Sequence, residues 1–202
     1  MKVIQNLATA RIVFIFEEMV SCRRDYCADN QFFRMNDVWK YLCDESGRWS
    51  IKTYRSNETE DFKRKAGLIA FADRATLVAD EKLMANAKLG CKLSNYILAH
   101  ELGHMALGHH ATSAVIKHFQ LFSGPSGMSN LPPTLEELEA NYAAVFFQCG
   151  FALLNPKLNP IHLANRAFSD VYSVKKAQIL VQLEVFQQLL NRPKRIFPRV
   201  IL

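Results

Sequence analysis

The 202-residue sequence has no CxxC pair, no internal repeat and no low-complexity tract. Its cysteines, Cys22, Cys27, Cys43, Cys91 and Cys149, are odd in number and scattered. That argues against a disulfide framework and for free thiols in a reducing compartment, with Cys22 and Cys27 the one conceivable pair. Long hydrophobic runs are also missing. The most apolar N-terminal stretch, Arg11 to Val20, carries Glu17 and Glu18 and is too short to span a bilayer. No small-residue cleavage site follows an apolar core. The chain therefore reads as having no signal peptide and no membrane span, and a cytoplasmic setting is expected. With 50% apolar and 22% charged residues, collagen, coiled-coil rod and wholesale disorder are excluded.

Acidic residues are scarce at one end. Residues 156–202 hold 8 Lys/Arg against 2 Asp/Glu, whereas residues 67–155 hold 5 against 7. The last stretch carries Arg192, Lys194, Arg195 and Arg199 without an acid. It suits a weak nucleic-acid contact, or equally a solvated tail.

Local patterns predict the elements. Val3 to Val20 has helical spacing. Asn36 is placed to cap a short helix ending near Gly47. Trp49 to Tyr54 alternates as a strand, and residues 67–79 read as a hairpin around a polar turn. In that reading the strand near Thr76–Ala79 is an edge on which an extended peptide could lie. Ser94 suits the N-cap of a helix from Asn95 to about Leu107, with Gly108 just past its end. A Gly/Pro/Ser loop runs through residues 123–133, and Thr134 with Glu137 forms a capping-box pattern opening the next helix. Asn155-Pro156 and Asn159-Pro160 mark turns, and Asp170 to Leu190 reads as one long amphipathic helix.

Five of the six histidines fall within residues 100–118. His100-Glu101-Leu102-Gly103-His104 is an HExxH motif. Two imidazoles four residues apart project from one helical face and can ligate one Zn²⁺ at roughly 2.0–2.1 Å. Glu101, beside the first histidine, is then the candidate general base for a water attacking a carbonyl. A catalytic zinc needs a third protein ligand. His110 is one candidate, in a metzincin-like HExxHxxGxxH reading, but position 107 is Leu and the glycine sits at 108. Ser126 to Ser129 has the look of that group's methionine turn. The helix after the Pro-Pro loop supplies others. Glu137 can ligate from the face it shares with Asn141, whose amide can hold a ligating histidine from behind. Glu139 lies about 200° round the same helix, so it and Glu137 cannot both face the metal. An acidic first turn is also what the helix dipole favours by itself.

Ala99 to His104, Gly108-His109, the hairpin before them and Glu137-x-x-Ala140-Asn141-x-Ala143-Ala144 after them together resemble the ImmA/IrrE family of metallopeptidases. The resemblance covers roughly residues 65–155. It implies an α+β fold: a mainly helical zincin-like core with a small antiparallel sheet or hairpin before the HExxH helix. It implies zinc on His100, His104 and Glu137, with Glu101 as base. It also implies a zinc-dependent endopeptidase cleaving a helix-turn-helix repressor and so switching stress-response or mobile-element genes. The stretch Val145 to Gly150 departs from the family's usual sequence there. On this reading residues 1–65 are an N-terminal region of unknown role, 66–155 the metallopeptidase core and 156–202 a helical region with a basic tail. The alternative is a non-proteolytic regulatory module on the same scaffold, sequestering a partner or binding nucleic acid.

Overall fold

The structure, a computed structural model, describes residues 7–28, 31–55, 66–71, 74–109, 117–118 and 134–192. Mostly helical segments surround a small sheet, an α+β arrangement. In chain order these are α1 (Thr9–Tyr26), α2 (Met35–Ser46), β1 (Trp49–Tyr54), β2 (Ala66–Phe71), β3 (Arg74–Asp80), α3 (Glu81–Lys88), α4 (Lys92–Ala106), β4 (Lys117–His118), α5 (Leu135–Cys149), a 3-10 turn (Gly150–Leu154), α6 (Pro160–Arg166), α7 (Val171–Val181) and α8 (Glu184–Leu190).

The sheet order is β1-β3-β2-β4. The expected hairpin is β2 and β3, antiparallel, with Leu68 opposite Leu77 and both fully buried. Two expectations are corrected. The sheet is mixed rather than antiparallel, because β1 pairs parallel to β3, Ile51 opposite Leu77, with the Ser50 and Thr76 hydroxyls 2.9 Å apart. And Thr76–Ala79 is not an edge: β3 is flanked on both sides, so its backbone groups are already used.

The buried stripe of α1 runs Ile12, Ile15, Phe16, Met19, Val20, Arg23 at helical intervals. It continues a turn past the Val20 end expected from the apolar pattern, because the last member is an arginine. Arg23 is fully buried and donates through Nη1 to the carbonyls of Phe147 (2.7 Å) and Gln148 (3.1 Å), and through Nη2 to that of Gln31. These carbonyls include orphan acceptors at the C-terminal end of α5, where a cation is favoured.

Two expected caps do not cap. Asn36 lies inside α2, whose N-cap is Arg34; Gly47, at φ +60°, ends that helix as expected. Ser94 is buried inside α4, which begins at Lys92. Here Asn95 accepts from the Met35 amide (2.7 Å) and donates to the carbonyls of Ala87 and Cys91 (both 2.9 Å). It thereby joins α2, α3 and α4, and the tertiary role overrides the local cap signal. Asp80 caps α3 by accepting from the Lys82 amide, and Asn159 caps α6.

The helix expected over Asp170 to Leu190 is two. Leu183 is extended (φ −63°, ψ 135°) and separates α7 from α8. Asp170 caps the first through the Ser173 amide, and Gln187 donates to the freed Val181 carbonyl at the break. The bend carries Phe186 into the core, edge-on to Phe16 at 5.7 Å between centroids. Ile179 and Leu183 stay exposed.

One apolar cluster links α1, α2, the sheet, α4, α5 and the C-terminal helices. At its middle is α4, buried continuously from Ser94 to Met105. Among the described residues no helix is long and apolar enough to cross a membrane, and none of the five cysteines is in a disulfide.

Candidate metal centre

The centre is made by two helices that approach closely. In α4, Gly103 faces α5: a Cβ there would lie 2.8 Å from the Ala143 Cβ and 3.1 Å from the Ala140 carbonyl oxygen. The small residues at 103, 140 and 143 let the backbones come together, and His100, His104 and Glu137 then meet in one place. Their ligand atoms all lie within 4.8 Å of one another, close enough to hold a metal ion. His100 Nε2 is 3.1 Å from Glu137 Oε2, His104 Nε2 is 3.5 Å from Glu137 Oε1, and the two Nε2 atoms are 3.0 Å apart. Both histidines are fully buried, while the Glu137 side chain keeps 22% of its surface exposed.

Glu137 arrives here because of its helix start. Thr134 accepts from the Glu137 amide at 3.2 Å, the backbone half of the expected capping box. The carboxylate that would complete the box points to the histidines instead. Burial raises the Glu137 pKa, but the neighbouring His100 and His104 rings outweigh it and hold the group at about 2. Burial, against the neighbouring Glu137 carboxylate, lowers His104 to about 4, so its ring is neutral at physiological pH, the form that offers a lone pair.

Each histidine is held from behind. His100 Nδ1 lies 3.1 Å from Asn141 Oδ1, and the same oxygen accepts from the Tyr96 hydroxyl at 3.0 Å. Burial lifts the Tyr96 pKa to about 12, so it stays a donor. With Asn141 Oδ1 as acceptor, His100 carries its proton on Nδ1 and turns the Nε2 lone pair to the centre. A cleft of about 170 Å³ opens beside this pair, lined among others by Leu138, Tyr142, Tyr172 and Lys176.

Behind His104 stands His109, which the sequence offered as part of a motif but with no role in the site. His109 Nδ1 is 2.8 Å from His104 Nδ1, and His109 Nε2 is 3.0 Å from Glu139 Oε2. Glu139 in turn receives Arg11 through two bonds, Nε to Oε1 at 2.8 Å and Nη2 to Oε2 at 2.6 Å. Glu139, weighed as an alternative ligand, is therefore engaged by His109 and Arg11 and stands outside the three-residue group. His110, the other alternative, lies outside the described residues, as do residues 126–129 and the arginines and lysine of 194–199. The signal for His109 was Gly108, at φ +69°. His109 N bonds to His104 O (3.1 Å) and Gly108 N to Met105 O (3.1 Å), a Schellman ending that brings the residue after the glycine back over His104.

Glu101 is fully buried, and neither carboxyl oxygen has a hydrogen-bond partner among the described residues. Burial, with the nearby Glu137 charge, raises its pKa well above the usual carboxylate range. A buried carboxyl without a partner is costly.

Compared with known families and with curated proteins, the chain matches no family and no curated sequence.

Proposed function

We propose that the chain is a zinc-dependent endopeptidase with His100, His104 and Glu137 as metal ligands and Glu101 as general base. The observation that carries this reading is the triangle of donors. A tetrahedral zinc site with bonds of roughly 2.0–2.1 Å has edges of about 3.3–3.4 Å; here the two Nε2 atoms are 3.0 Å apart and each lies 3.1 or 3.5 Å from a different Glu137 oxygen, with one ligand atom from each residue within 4.8 Å of the others. Two nitrogens and one carboxylate would leave a zinc one ligand short of four, which suits a catalytic rather than a closed structural site. The unpartnered Glu101 carboxyl fits the same picture.

When bound, zinc would supply Lewis acidity, lowering the pKa of a water and polarising the scissile carbonyl. Glu101 takes a proton from the attacking water as the C–O bond forms and delivers it to the leaving amine nitrogen as the C–N bond breaks. Asn141 and Tyr96 hold His100 in the ligating tautomer. The sequence pattern resembling ImmA/IrrE points to a helix-turn-helix repressor as the protein substrate.

The test is a proteome-derived peptide library incubated with the zinc-loaded wild type and with Glu101→Gln. The wild type is expected to cut a defined set of peptides. Glu101→Gln is expected to bind zinc equally and leave them intact. Equal cutting by the two proteins would overturn the assignment of Glu101, and a wild type that takes up no zinc would overturn the metal site.

A further inference from the structure

Resting on the metal-site reading above, we propose that Arg11, Glu139 and His109 form a relay that fixes the tautomer of His104, and so act as positioning residues for a metal ligand. The argument is a donor and acceptor count along one unbroken chain. An arginine side chain has donors only. Its two bonds to Glu139 require a carboxylate there, and the bidentate geometry fixes the plane of that group. Glu139 Oε2 then needs a donor from His109, 3.0 Å away, so His109 carries its proton on Nε2. A neutral ring that donates at Nε2 accepts at Nδ1. His104 Nδ1, 2.8 Å from it, must be the donor. His104 Nε2 is left with its lone pair, aimed at the point it shares with His100 and Glu137.

The opposite polarity would place a hydrogen on His104 Nε2 and block ligation. The choice is made at Arg11, on a different helix, whose side chain is 38% exposed while Glu139 is 12% and His109 6% exposed. The two ligands are thus oriented by unrelated devices, an amide for His100 and an arginine-anchored relay for His104. The relay also ties α1 to the centre, although α1 contributes no ligand.

The readout is the tautomer itself, in metal-free full-length protein labelled with ¹⁵N-histidine, by two-bond proton–nitrogen correlation. Wild type should show His104 protonated at Nδ1. His109→Leu should move His104 toward the Nε2–H form and weaken zinc binding by roughly 10–100-fold. His109→Gln should restore both, because its amide oxygen can accept from His104 while its NH₂ donates to Glu139; a role in packing alone predicts no such rescue. Arg11→Met, on a partly exposed site, should shift the tautomer in the same direction, and it carries the test should His109→Leu not fold. A His104 that stays Nδ1–H with unchanged zinc affinity in these variants overturns the relay. A wild type that shows the expected tautomer yet takes up no zinc overturns the metal site instead, so the two failures are distinct.

Discussion

Gly103 sits against Ala143 so closely that a methyl group in place of its hydrogen would stand 2.8 Å from the Ala143 Cβ. The glycine inside the HExxH run therefore sets the distance between the helix carrying the histidines and the helix carrying Glu137. Gly103→Ala meets backbone atoms of Ala140 as well, which cannot rotate away. It is expected to cost about 1–3 kcal/mol of stability by overpacking and to weaken zinc binding as Glu137 is pushed off. Chemical denaturation and a competitive zinc titration check it. Gly108→Ala finds open space and pays only for φ +69°, on the order of 1 kcal/mol.

Adding zinc should raise the melting temperature by mass action, since the three ligands converge only in the folded chain. At a free zinc level 100 times Kd the gain is about 2.7 kcal/mol. Calorimetry with and without a chelator measures it. His100→Ala and Glu137→Ala should abolish the zinc-dependent shift, and a shift that survives both substitutions would place the metal elsewhere.

Arg23 carries a structural load at the other end of α5 from Glu137. Arg23→Met removes donors from the Phe147 and Gln148 carbonyls in a fully buried place, with an expected loss of about 3 kcal/mol in urea unfolding. Gly150→Ala should mimic it in part, because the added Cβ would lie 2.7 Å from Arg23 Nε at a residue with φ +55°.

Cys149 gives a pH signature. Burial lifts its thiol to about 12 from the ordinary 9.0, with Arg23 pulling weakly the other way. The thiolate is thus penalised in the folded state only. The contribution is constant below pH 9; above it the unfolded chain ionises first, and folding loses up to about 1.4 kcal/mol per pH unit until pH 12. Urea midpoints measured from pH 8 upward should fall less steeply for Cys149→Ala. A thiol reagent at pH 8 should label exposed Cys91 rapidly and Cys149 only on unfolding.

What could be read from the chain alone followed from local rules. Strand β1 and the β2–β3 hairpin came from alternation, and the end of α4 came from Gly108. That His100 and His104 share a face came from their spacing, while Glu137 as their companion was one of three alternatives that the residues alone left open. What could not be read was set by tertiary contact. Asn95 is a buried bridge that masks the true start of α4. The break at Leu183 exists because Phe186 must reach Phe16. The parallel pairing of β1 depends on where the chain crosses, which no periodicity records. Arg11 is 128 residues from Glu139 in sequence, and nothing in an N-terminal arginine announces a partner that far along.

Helix α1 grips α5 at both ends, Arg11 at Glu139 near its beginning and Arg23 at Phe147 and Gln148 near its finish. It works as a splint. A version of the polypeptide trimmed to start at the hairpin would retain every proposed zinc ligand and still lose the brace at both ends of the helix that carries Glu137. The stretch between the first and last proposed ligand is therefore not a self-sufficient unit.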